Sequence, residues 1–269
     1  DFFSRPSKRR GAWMNSLSKQ GRLGEETYPI VTTNFNFAAP SGGGPALITF
    51  DNAITLAHEM GHALHGLLSD VTYESLGGTS VARDFVEFGS QIMENWMGEP
   101  EVLRQYALHY ETGEPLPDEY IQKLQDSGTF NQGFVTVEYV AASLLDMAWH
   151  LLEDPVVHDA NEFEAAEMNR IGLIEEIIPR YRSTYFNHIF SGGYSAGYYV
   201  YLWAEVLDKD AFQAFKETGD LFDRETGQRL REEILSKGGT RPGMELFVNF
   251  RGREPGIEAL LEARGLIAY

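Results

Sequence analysis

Between Asp51 and Asp70 the only charged side chain is Glu59. At about 100° per residue, His58, His62 and His65 fall at i, i+4 and i+7 on one helical face, together with Thr55 and Ser69. The rest of the circumference is Ile54, Leu56, Ala57, Met60, Ala63, Leu64, Leu67 and Leu68. Such a helix has no solvated face and is expected to be buried on every side, with Asp51 or Asn52 as its N-cap. Its polar stripe then needs partners inside the protein, because an unpaired buried polar group costs roughly 1–3 kcal/mol. Hydrogen bonds to core carbonyls are one answer. A zinc ion is the stronger one: imidazoles four residues apart can share a tetrahedral ion, and Glu59, one residue on from His58, points beside it and can act on a water that the ion activates. His65 fits a structural or supporting role better than direct ligation.

A third protein ligand is required, with the fourth position left for water. The chain contains no cysteine, so the ligand must be His, Asp or Glu. The stretch VARDFVEFGSQIMENWMG brings Asp84, Glu87, Gln91 and Glu94 to one helical face. Any of its carboxylates can serve, and an ordinary amphipathic helix has the same pattern, so periodicity does not choose.

Composition removes several classes of function. With 269 residues and 43% hydrophobic content, a full core is affordable. No apolar run approaches the ~20 residues of a bilayer span, and no charged n-region followed by an apolar h-region marks a secretory signal, which fits a cytoplasmic location. Forty acidic against 22 basic residues give a net charge of -18, which repels phosphate backbones and anionic lipid, so neither nucleic acid nor membrane is expected as a partner. The first 50 residues carry β-favouring runs, AWM, YPIVTTNFNF and PALITF, joined by turns such as SGGGP. From Asp51 the pattern is helical, with breaks near LGGTS, GEPEV, TGEPLPDE, EDPVVHD, FSGGYS and KGGTRPG. A mainly α fold with a small N-terminal β-sheet follows.

FDNAITLAHEMGHALHG followed by RDFVEFGSQIMENW resembles the thimet-oligopeptidase family of zinc metallopeptidases. A further segment, YRSTYFNHIFSGGYSAGYYVYLWAEVL, resembles that family's substrate-binding loop, most closely in the bacterial dipeptidyl carboxypeptidase branch. The resemblance implies a zincin-like catalytic domain over residues 1–269, with a sheet region at 1–50 and a helical body at 51–269. It implies one zinc per chain on His58, His62 and Glu87, with Glu59 as general base. His188, Tyr194 and Tyr201 are implied for substrate contacts, the two tyrosines as candidate oxyanion donors. Asp84 and Glu94 remain equal candidates for orienting the histidines, and Tyr199 is expected to pack in the core. Gly192 and Gly193 suit a loop that tightens on substrate.

Family members are longer, with a helical N-terminal portion ahead of DFF that supplies one wall of the active-site channel; that portion is an implied partner. The implied substrates are short peptides, and PRYRSTYF favours release of dipeptides from a free C-terminus. The alternatives are an oligoendopeptidase and a zinc-binding fragment without turnover. Arg180 and Arg182 are candidates for the terminal carboxylate, and structural ion pairs are an equal reading for both.

Overall fold

The structure, a computed structural model, describes residues 1–40, 42–154 and 159–267. Strands β1 (Trp13–Ser18) and β2 (Ile30–Asn34) pair antiparallel, with Trp13 opposite Asn34 and an irregularity between Ser16 and Ser18. Consecutive β-branched residues in β2 favour the extended backbone, but a lone hairpin is marginal and needs a surface to rest on. Helix α1 (Phe50–Leu67) provides it. Gly66 lies so near the hairpin that a Cβ there would meet Val31 Cγ1 at 3.1 Å and Met14 Cε at 3.5 Å.

Two expectations at this end need correction. PALITF forms no strand: Leu47 and Ile48 are exposed, and no second edge pairs with them among the described residues. Thr49 instead caps α1, its hydroxyl accepting from Asn52 N at 3.1 Å, so the helix starts before Asp51.

The helical body continues with α2 (Arg83–Val86), α3 (Phe88–Met97), α4 (Pro100–Tyr106), α5 (Asp118–Gly128) and α6 (Gln132–His150). It closes with α7 (Ala160–Arg170), α8 (Asn187–Phe190), α9 (Val200–Lys216), α10 (Arg224–Leu230), α11 (Gly243–Arg251) and α12 (Glu258–Ala263). The middle of the expected break at EDPVVHD lies outside the described residues. No described helix is long and apolar enough to cross a membrane.

Two packed regions position the site. The larger core joins Phe85, Phe88 and Ile92 to Leu207, Phe212, Ile234 and Phe247, fixing α2 and α3 against α9 and α11. Helix α1 lies on α3 through Gly61, where a Cβ would stand 2.6 Å from Ser90 Cα, so only glycine permits that approach. The outer side of α1 is not buried as the sequence suggested: Met60 is 46% and Leu67 45% exposed. The second region is aromatic, with Phe186, Ile189 and Tyr198 packed against Tyr139, Trp149, Tyr181 and Tyr201.

Candidate metal centre and tyrosine loop

His58 and His62 project from the same face of α1, their rings 5.0 Å apart and nearly perpendicular. Glu87 sits at the joint where α2 ends and α3 begins. Its Oε2 lies 3.3 Å from Nε2 of both histidines, and these ligand atoms all fall within 4.8 Å of one another. Oε1 of the same carboxylate accepts the Tyr194 hydroxyl at 2.6 Å, while Ser90 Oγ donates to Oε2 at 3.1 Å. Of the two candidates for orienting the histidines, Glu94 meets His58, its Oε1 2.6 Å from Nδ1. That contact orients the ring, with Nδ1–H donating to Glu94 and Nε2 directed toward Glu87.

The arrangement has the electrostatics of a cation site. Burial disfavours a charged His58, but hydrogen bonds to Glu87 and Glu94 outweigh it and raise the imidazole to about 10. Burial likewise works against ionised Glu87, and the two histidines overcome it, holding the carboxyl well below its usual range. Burial pushes Glu59 up, against the pull of His58 and His62. Glu59 Oε2 and His62 Nδ1 are buried without a hydrogen-bond partner. Two imidazoles and a carboxylate converging beside a partnerless glutamate form a donor set that fits a divalent metal. His65 stands apart from the group: it is fully buried, neither ring nitrogen has a partner, and burial, then His62, lowers it to about 4.

The rest of the site is built from α8, the segment after it and the first turn of α9. Tyr194 and Tyr201 stack at 5.3 Å, and the Arg83 guanidinium lies 4.7 Å over the Tyr194 ring. Burial, then Glu87, pushes both phenols up, so they remain hydrogen-bond donors. His188 joins them; burial, then Arg180, lowers its pKa, and its Nδ1 is buried without a partner. Gly192 is required by packing, since a Cβ would meet His188 Cα at 2.9 Å, and Gly193 has φ +82°.

Asp146 of α6, unremarked in the sequence, anchors this segment. It is fully buried and accepts from Ala196 N at 2.9 Å and Tyr198 N at 2.8 Å, while His150 Nδ1 lies 2.8 Å from its Oδ1. Tyr139 donates to the Tyr198 carbonyl, and Ser195 Oγ donates to Ile189 O at 2.6 Å. Tyr199 is 45% exposed and does not pack in the core; the core residue is Tyr198, at 3%. Tyr199 precedes α9, which begins only at Val200.

His58, Glu59, His62, Glu87, His188, Tyr194 and Tyr201 all line one cleft of about 620 Å³. Arg180 and Arg182 do not line it. Arg182 is paired with the buried carboxylate of Glu164, and Arg180 lies 3.8 Å from Glu138 and over the Tyr181 ring.

A mainly helical chain with an HEMGH pair on one helix and a glutamate from the next has the architecture that its motifs resemble, and comparison with known proteins agrees. The sequence model of Peptidase family M3 matches residues 1–266, and the chain belongs to that family. It is 46% identical to the dipeptidyl carboxypeptidase of Escherichia coli, over 99% of this chain and 39% of that protein. It is 41% identical to Escherichia coli oligopeptidase A, over 99% of this chain and 40% of the relative. Identity to a thimet-like oligopeptidase of Dictyostelium discoideum is 33%, again over 99% of the chain and 40% of the relative. The chain thus spans about two-fifths of the length of these relatives.

Proposed function

We propose that this chain is the catalytic part of a zinc-dependent peptidase that hydrolyses short peptides and releases dipeptides from their carboxyl end. The observation that carries the reading is the meeting of His58 Nε2, His62 Nε2 and Glu87 Oε2 in the cleft that also holds the partnerless Glu59. Zinc held by those three residues would supply Lewis acidity toward a peptide carbonyl and make a water easier to deprotonate.

The chain's own residues do the rest. Glu59, its carboxyl raised by burial, accepts the proton of the attacking water and returns it to the departing amine. Glu94 holds the His58 ring through Nδ1. Tyr201 and Tyr194 supply phenol donors for the carbonyl oxygen as it gains charge, Tyr194 exchanging its bond to Glu87 for that role. His188 lines the same cleft and offers a further contact to the peptide. Residues 1–269 are read as one catalytic domain, and the two-fifths coverage of the relatives supports a helical N-terminal portion as the partner that supplies the remaining wall. Higher identity to the dipeptidyl carboxypeptidase than to oligopeptidase A supports carboxyl-terminal release over internal cleavage.

Metal analysis combined with mass spectrometry of products from a mixed set of short peptides tests the reading. One zinc per chain and successive dipeptides are expected. Internal fragments from every peptide would favour an oligoendopeptidase, and zinc without turnover would reduce the chain to a metal-binding fragment.

A further inference from the structure

A peptidase that counts two residues from a free carboxyl end needs a cation in the cleft to read that carboxylate, and the arginines beside the tyrosine segment do not supply one. Arg182 pairs with buried Glu164, and neither Arg83 nor Arg180 lines the cleft. In a chain with a net charge of -18, long-range attraction cannot bring an anionic peptide end into place, so a local contact must do it.

Arg9 and Arg10 meet that requirement. Both are exposed, they are the only lysine or arginine residues lining the cleft among the described residues, and neither has a carboxylate partner there. Two adjacent unpaired guanidinium groups in so acidic a chain are conspicuous, because carboxylates to neutralise them are abundant everywhere else. Their backbone is fixed: a single amide nitrogen, Asn36 Nδ2, donates to Arg9 O at 2.8 Å and to Gly11 O at 2.7 Å, and Gly11 takes φ +88° to complete the turn. The Arg9 guanidinium rests 4.6 Å from the centroid of the Trp13 ring at the start of β1, which limits the freedom lost when it binds. Glu59 and Glu87 line the same cleft, so it holds both the carboxylates of the metal centre and guanidinium groups from the segment ahead of β1. The carboxylate of a peptide in the cleft is repelled by the former and attracted by the latter.

We infer that Arg9 and Arg10 form the site that binds the free C-terminal carboxylate of a peptide in the cleft, and so set carboxyl-terminal cleavage. The inference rests on the peptidase reading for its purpose, but binding tests it without turnover. The probe is N-terminally fluorescein-labelled penta-alanine, as free acid and as C-terminal amide, with binding to the zinc-loaded Glu59→Gln chain read by fluorescence anisotropy. The acid is expected to bind about 10- to 100-fold more tightly than the amide, the range of hydrogen bonds to a charged group. Adding Arg9→Gln and Arg10→Gln should bring the ratio close to one.

Adding Arg104→Gln and Arg170→Gln instead removes the same charge from exposed pairs with Asp118 and Glu167, and should preserve the ratio. Equal binding of acid and amide, no binding of either, or a ratio that survives loss of Arg9 and Arg10 would overturn the site. A parent chain that hydrolyses peptides with no preference for the free acid would overturn it while leaving the peptidase reading intact. Preference for the acid without any hydrolysis by the Glu59-containing chain would do the reverse.

Discussion

The two sides of the cleft are held in place by different means. On the metal side, the ligands stand on helices: the spacing of His58 and His62 is set by α1 itself, and their height against Glu87 is set by backbone contact at Gly61. On the tyrosine side, His188 and Tyr201 stand on α8 and α9, while Tyr194 lies within residues 191–199, which contain no helix or strand and are held by hydrogen bonds to Asp146. Groups that must converge on one ion need sub-ångström placement, which packed helices give. Groups that follow a substrate through a reaction gain from a segment that a few polar bonds can hold or release.

The largest effect should come from Glu59→Gln on the metal side. Activity should fall by about 10²- to 10⁴-fold with zinc content unchanged by metal analysis, since the three ligands remain. Loss of zinc would put Glu59 among the ligands and undo the assignment. Next, Tyr201→Phe on the tyrosine side should lower kcat by ~100-fold with little change in KM. Tyr194→Phe should combine such a loss with roughly 10-fold or greater weakening of zinc affinity, because its hydroxyl also holds Glu87; titration against a chelating dye separates the two.

A matched pair tests the division directly. Gly61→Ala should cost about 1–3 kcal/mol of stability and weaken zinc binding, as α1 must move off α3. Asp146→Asn should keep zinc yet lower kcat by ~10-fold, since an amide cannot accept from both backbone N–H groups as the carboxylate does. If Asp146→Asn released zinc and Gly61→Ala did not, the two sides would not be separately held.

The smallest effect is on pH dependence. Burial lowers His65 to about 4, below its usual value of 6.5, so between these values the unfolded chain binds a proton that the native chain refuses. Its contribution to stability is complete above pH 6.5 and is lost as pH falls through about 4. Urea unfolding of the metal-free chain should therefore show a slope smaller by up to one proton over this range in His65→Leu, and an unchanged slope would mean that His65 protonates in place.

What could be read from the sequence follows the same division. The HEMGH pair was legible because ligand spacing on a helix is local. Choosing Glu87 needed the family motif, since four polar residues share the face and only the depth of the Gly61 contact selects among them. Exposure of Met60 and Leu67 was illegible for a related reason: burial depends on neighbours, and apolar residues all round a helix do not specify them. Which tyrosine of the segment enters the core is likewise not local: Tyr198 is buried and Tyr199 exposed, because Asp146 fixes the backbone ahead of α9. Asp146 did leave a signal. It is the only acidic residue between Glu138 and His150 in an otherwise largely apolar run, the same signature that drew attention to Glu59.

The carboxylate of Glu87 is shared between the two sides, one oxygen toward the histidines and the other holding Tyr194. Occupancy at one oxygen therefore alters the basicity of the other, and the two equilibria are thermodynamically linked. Whatever factor a bound metal imposes on the release of Tyr194, the release of Tyr194 must impose on the affinity for metal. A peptide that recruits Tyr194 is then an effector of metal retention as well as a substrate, and the coupling energy between the two ligands is measurable from either end.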